Sequence, residues 1–178
     1  MTRVTITPED HGVGAAMTRV IDAGKHPRPL LMAIGETVAA STKRRFQTST
    51  DPEGKPWAPN SPVTIGRHLG AFKGSFKKDG SLSKKGAARA AAKKPLIGET
   101  RSLSSNIAWQ LEGNDAVAIG SPMIYAAPQQ FGVKKGAFGK TKHGGPIPWG
   151  DIPARPFLGI SAEDGDDIRE LAADFILR

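Results

Sequence analysis

The sequence has no cysteine, a single tyrosine among only 6% aromatic residues, and no long hydrophobic run. Without cysteine there is no disulfide frame and no thiolate metal site, and the usage suits a reducing compartment. No apolar stretch approaches the ~18 residues needed to cross a bilayer. The opening MTRVTITPED lacks the apolar core of a signal peptide, so a product made and kept in the cytosol, or in something assembled there, is expected. The four histidines (His11, His26, His68, His143) are scattered and none pairs at ligand spacing on a helix. Asp51 and Glu53 begin like a calcium loop, but the next alternate position carries no Asp or Asn. Gly139-Lys140-Thr141 ends like a phosphate loop, yet the glycine required five residues before the Gly-Lys pair is Lys134. No Gly-x-Ser-x-Gly elbow occurs, and nothing assembles a nucleophile, a base and oxyanion donors. The residues predict a protein that is not an enzyme and binds no cofactor or metal.

Glycine (21), proline (14) and positive charge are plentiful, and the net charge is +8. From Lys73 to Lys94 there are eight cations (Lys73, Lys77, Lys78, Lys84, Lys85, Arg89, Lys93, Lys94) against Asp79 alone. Lys134, Lys135, Lys140 and Lys142 follow in a second loop, whereas Glu163 to Asp174 holds six acids against Arg169. Such asymmetry bears on partners rather than on fold.

The stretch from Glu99 to Gly132 organises the chain. Ile107 to Leu111 alternates as a half-buried strand, Gly113-Asn114-Asp115 is turn chemistry, and Asp115 to Gly120 reads as the return strand. Met123 to Ala127 is a short apolar-aromatic segment that ends at Gln129-Gln130-Phe131-Gly132. Upstream, Val4-Thr5-Ile6 fits a short edge strand, and Thr7-Pro8-Glu9-Asp10 starts a helix carrying Val13, Met17, Val20 and Ile21 to a stop at Gly24. The spacing of Leu30, Leu31, Ile34, Val38 and Phe46 predicts a long helix over 29–48. The Lys43-Arg44-Arg45 triplet in its last turns reads as a helix-end charge effect or as an interaction patch. A proline-rich loop over 51–62 uses Trp57 as its anchor, and Ser61-Pro62 opens a short helix. Thr100 to Ser105 makes a helical turn. The segment from Ile152 to Ile160 ends as an edge strand, since its prolines cannot donate to a ladder. Ser161 to Asp164 caps a final helix with Ile168, Leu171, Ala172 and Phe175 on its apolar face.

The expected architecture is α+β in one domain over 1–178: a small antiparallel sheet packed with the long helix and the terminal helix. Extended Gly/Pro/Lys-rich loops complete it, of which 70–94 and 133–146 are basic and expected to be mobile because they bury too little to offset ordering. Phe72 and Phe76 offer the only stacking surfaces in the first loop. A nucleic-acid-binding module using 73–94 and 134–142, without sequence-specific contacts, is one reading of these cations. Arms that order against an acidic protein surface are the other.

Five pieces in register resemble the phage virion morphogenesis (tail completion) family of Mu-like and P2-like contractile-tailed phages. They are Ile34 to Phe46, with Ser41-Thr42-Lys43-Arg44-Arg45-Phe46 at its end, Asp51 to Pro59, Gly98 to Leu103 with the hairpin, Tyr125 to Gly132, and Ile152 to Gly159. The resemblance spans nearly everything from Ile6 to Phe175. Two departures are Gly98-Glu99-Thr100-Arg101-Ser102, where an Asp or Arg before Thr-Gly-Arg-Leu is usual, and the basic insert 72–94. The resemblance implies a structural protein acting in tail completion or head–tail joining, as a homo-oligomeric ring with other phage tail or neck proteins as partners. It would sit in the virion, at the tail or the head–tail junction, after assembly in the host bacterial cytoplasm. Tyr125, Gln130, Phe131, Arg155, Pro156 and Phe157 are the interface candidates, although Tyr125 and Phe157 also suit a core. The acidic helix, with Asp166, Asp167 and Glu170, is a candidate to meet the basic arm of the next subunit.

Overall fold

The computed structural model describes residues 13–177. The edge strand expected over 4–6 and the helix start over 7–10 lie outside them. In chain order the elements are α1 (Val13–Lys25), α2 (Arg28–Thr48), α3 (Pro62–Gly70), α4 (Lys84–Ala92), α5 (Ser102–Ser105), β1 (Ala108–Glu112), β2 (Ala116–Gly120), α6 (Ala126–Phe131) and α7 (Ala162–Leu177).

The fold is α+β. β1 and β2 form an antiparallel hairpin with Trp109 opposite Ile119 and Leu111 opposite Val117. Gly113 closes the turn at φ +67°, a left-handed conformation that costs glycine little. The alternation read in the sequence is realised: Trp109 and Leu111 turn inward, and Ala108, Gln110 and Glu112 face out. α2 lies across both strands and carries α7 on another side. The Trp109 ring covers Gly35 so closely that a Cβ there would sit 2.7 Å from it, and the indole N–H donates to Glu36 at 2.8 Å. At the far end Arg28 Nη1 donates to Asn114 Oδ1 at 3.1 Å, which ties the hairpin tip to the start of α2.

The core is built on Phe46, Trp57 and Phe157, joined by Ala39, Leu103, Ile107 and Ala126. The Phe46 ring centroid lies 5.3 Å from that of Trp57, edge to face, and 5.4 Å from that of Phe157. Trp57 anchors the proline-rich loop, as its position suggested, and its indole N–H donates to the Pro156 carbonyl at 2.7 Å. Ser61 caps α3 by accepting from the Thr64 amide.

One expectation is corrected. Residues 152–160 form no edge strand: Ile152 makes a single bridge to Val133, the Arg155 amide donates to the Gln129 carbonyl at 2.7 Å, and the backbone from Phe157 on is served by side chains. Gln130 Oε1 accepts from the Phe157 and Leu158 amides, its Nε2 donates to the Leu158 carbonyl, and Arg45 Nη1 donates to the carbonyls of Phe157 and Gly159. The prolines at 153 and 156 remove ladder donors, so a side-chain amide and a guanidinium take the place of a neighbouring strand. Residues 126–131, to which the sequence pattern assigns no conformation, form a helix, α6.

Arg45 is also not part of a solvated charge run. It is buried, and its Nη2 pairs with Asp164, which is 0% exposed, and reaches Ser41 Oγ. Asp164 closes the capping box of α7: its Oδ2 accepts from the Ser161 amide while its own amide donates to Ser161 Oγ. Burial pushes the Asp164 carboxyl up, but the Ser41 hydroxyl, the Ser161 amide and hydroxyl, and the Arg45 charge outweigh it and hold the carboxyl below its ordinary value. A carboxylate whose pKa falls on folding stabilises the fold above its unfolded pKa, and that stability is lost as pH falls through the folded value.

Asp164→Asn is therefore expected to destabilise the protein at neutral pH and to flatten the acid limb of its stability curve, measured by urea unfolding across pH. Arg45→Met leaves a buried carboxylate unpaired and should cost about 3–5 kcal/mol in the same experiment. Phe157→Ala is expected to cost about 3–5 kcal/mol, against an effect within about 0.5 kcal/mol for a substitution at exposed Lys77.

Candidate interaction surfaces

The six interface candidates divide between inside and outside. Phe157 is 0% exposed and belongs to the core. Arg155 is buried: its Nε donates to the Ala58 carbonyl at 2.7 Å, Nη2 to the Pro59 carbonyl at 2.8 Å and Nη1 to Gln129 Oε1 at 3.2 Å. Burial lowers the Arg155 pKa. Gln130 and Pro156 belong to the same internal network. Tyr125 and Phe131 face outward, joined by Ile124, which is 94% exposed; Phe131 is 78% exposed. A large apolar side chain held this far into solvent on an ordered element signals an interaction surface when others lie beside it. Sequence reasoning missed Ile124, although its place between Met123 and Tyr125 was in view.

Phe131 also forms one wall of a cavity of about 580 Å³ with Gly132, Val133, Ile152, Pro153 and Ala154. Gly132, at φ +73°, lets α6 turn into this wall, where a Cβ would meet the Ala154 nitrogen at 2.8 Å. Lys134 and Asp151 close the rim with an ion pair at 3.0 Å. The Lys135 amide and the Lys134 ammonium together hold Asp151 below its ordinary pKa. Just past the second basic loop, Trp149 lies exposed with Arg67 stacked over it at 5.4 Å from the ring centroid.

The first basic loop carries more order than its composition suggests. Ser83 caps α4 by accepting from the Gly86 amide, and Phe76 bridges Leu82 across a turn in which Asp79 accepts from the Ser81 amide and hydroxyl. Those two bonds hold Asp79 below its ordinary pKa, the hydroxyl contributing most. Gly86 packs so tightly that a Cβ would overlap the Ser75 carbonyl. Arg89 lies over the Phe72 ring at 5.0 Å and donates to the Lys73 carbonyl and Ser75 Oγ. Lys93 donates to the Ile97 carbonyl and Lys94 to that of Gln47. Lys73, Lys77, Lys78, Lys84 and Lys85 remain exposed and make no ion pair among the described residues.

The eight cations thus have two roles. Arg89, Lys93 and Lys94 also line a groove of about 760 Å³ between α2, α4 and the segment leading into α5. Lys43 and Arg101 complete its cationic lining, opposed there by Glu99; Ile97 contributes apolar surface, and the buried Phe46 lies at its floor. Arg101 sits at φ +52°, an uncommon conformation for a residue with a side chain.

The acidic helix divides as well. Asp164 is buried, and Asp166 is paired with Arg169 three residues on. Glu163, Asp167, Glu170 and Asp174 make no ion pair among the described residues. At about 100° per residue, spacings of four, three and four place all four on one face of α7. That face is turned about 120° from the one formed by Ile168, Leu171, Ala172 and Phe175. Among the described residues no three His, Asp or Glu side chains are placed to hold a metal, and no helix is long and apolar enough to cross a membrane.

The sequence matches the phage virion morphogenesis family over residues 9–176. It is 26% identical over 163 residues to the Mu-like prophage FluMu G protein 2 of Haemophilus influenzae, covering 92% of this chain and 88% of that protein. No solved structure matches it significantly. The match runs through the hairpin, the aromatic core, the Gln130 network and α7 alike, and on that basis the chain belongs to the phage virion morphogenesis family, as a virion-associated, tail-related structural protein.

Proposed function

We propose that this protein acts in tail completion or head–tail joining during virion assembly, without catalysis, by protein–protein contacts in a homo-oligomeric ring with other tail or neck proteins around it. The observation that carries this reading is the family match over nearly the whole chain. Two features of the surface support it. Ile124, Tyr125 and Phe131 hold apolar area in solvent on an element fixed from below by Gln130, and free charge of opposite sign is gathered in separate places. Repeated contacts between different faces of identical subunits use such a surface, and a ring is the closed form of that arrangement.

A second reading has its own observation. Lys73, Lys77, Lys78, Lys84 and Lys85 stand free on a backbone fixed by the Gly86–Ser75 contact and by Arg89, which suits a patch that neutralises nucleic-acid phosphates without reading sequence.

A phage or prophage with this gene interrupted is expected to yield heads and tails that fail to form infective particles, seen by negative-stain microscopy, with infectivity restored on adding the purified protein. Normal infective particles from the interrupted gene would end this reading. For the second reading, duplex DNA affinity should fall with salt at a log–log slope of about −4.5 if all five lysines neutralise phosphates. Loss of that slope on replacing the five with Gln checks it.

A further inference from the structure

We propose that the acidic face of α7 on one copy of the protein seats in the cationic groove of the next copy. The inference rests on the reading that the protein assembles with itself, and it names the two surfaces that meet.

The groove is concave and carries uncompensated charge. Lys43, Arg89, Lys93, Lys94 and Arg101 converge on it from α2, α4 and the segments that follow α4. Arg89, Lys93 and Lys94 direct their polar hydrogens at carbonyls or a hydroxyl, which fixes their positions but cancels none of their charge. Glu99 is the one acid in the lining. Such a wall favours an anionic occupant, and the half-buried side chain of Ile97 within it favours one that also brings an apolar group.

The face of α7 that bears Glu163, Asp167, Glu170 and Asp174 fits both demands. Like charges at three- and four-residue spacing repel along a helix, so this ridge of about 16 Å is destabilising unless a partner neutralises it. Leu177, 72% exposed, follows Asp174 on the same face and ends the ridge in apolar surface.

The ridge of a given copy cannot reach its own groove. Arg45, which holds the start of α7, lies about 160° around α2 from both Lys43 and Gln47, which line the groove. α7 and the groove are therefore on opposite sides of α2, and the acidic ridge is turned about 120° from the apolar face of α7. Complementary surfaces on opposite sides of one molecule join head to tail, giving a ring if the rotation closes. A nucleic acid fits the groove less well, because its phosphates would leave the apolar surface of Ile97 unmatched.

Two charge-reversed proteins test this. Asp167→Lys with Glu170→Lys inverts the ridge, and Lys43→Glu with Arg101→Glu inverts the groove; all four side chains make no ion pair among the described residues, and thermal unfolding checks that each variant folds. Self-association is measured by analytical ultracentrifugation to high protein concentration at ~0.15 M salt. Each variant alone should associate at least about tenfold more weakly than the unaltered protein. An equimolar mixture should recover association, because the inverted ridge of one meets the inverted groove of the other while the native pair remains. Variants that associate like the unaltered protein, or a mixture that stays dissociated, overturn the proposal. A parent protein that is monomeric throughout also overturns it, and leaves the tail-assembly reading to the infectivity experiment. Loss of duplex DNA binding in the groove variant, with association unchanged, would reassign the groove to nucleic acid.

Discussion

The contact between Arg45 and Asp164 is the constraint on which the rest of the molecule depends. One guanidinium joins α2, the capping box of α7 and the carbonyls of Phe157 and Gly159. A lone ion of either sign here would be strongly unfavourable, and the pair persists because Asp164 Oδ2 also accepts from the Ser161 amide and Arg45 also donates to two carbonyls. Its value lies in geometry more than in net stability, since burying two charges consumes most of what their attraction returns. The segment 155–159 has little regular structure of its own, yet it is held between this pair and Gln130, and that brings Phe157 against Phe46.

Most of the frame was legible in the sequence. Helical spacing gave α2 to within a residue, alternation gave the hairpin, and Ser161 with its acids three residues on gave the start of α7. What escaped was side-chain work done on the backbone. Lys43-Arg44-Arg45 reads as one charge run, but successive residues turn by about 100°, which sends Lys43 to a groove and Arg45 into the core. A signal was present: Val38, Thr42 and Arg45 continue the spacing of the buried stripe. Gln130 offered no comparable cue, because a glutamine that replaces a strand neighbour is recognisable only once Phe157 and Leu158 stand beside it.

The basic segment shows the same limit in another form. Its composition of Gly, Ala, Ser and Lys lacks the apolar area for a core, and disorder was the natural expectation. Local bonding offers another route to order: a serine cap, an Asx turn, a glycine pressed on a carbonyl, and an arginine laid over Phe72. Each is visible as a residue type in the sequence, whereas their agreement on one shape is not. The separation of roles among the eight cations follows from that shape.

The Trp109 ring on Gly35 has a consequence for how this chain can change. Because the ring occupies the space of a side chain, it works as a locating peg that fixes the hairpin along α2, while Arg28 holds the tip. A slide of one helical turn, about 5.4 Å, would bring the indole onto Ala39 or Leu31, where a side chain stands in the way. The inward face of the hairpin is thus closed to substitution at its centre. Ala108, Gln110 and Glu112 on the outward face answer to no such fit. Substitution at those three positions leaves the seating of the hairpin on α2 as it is.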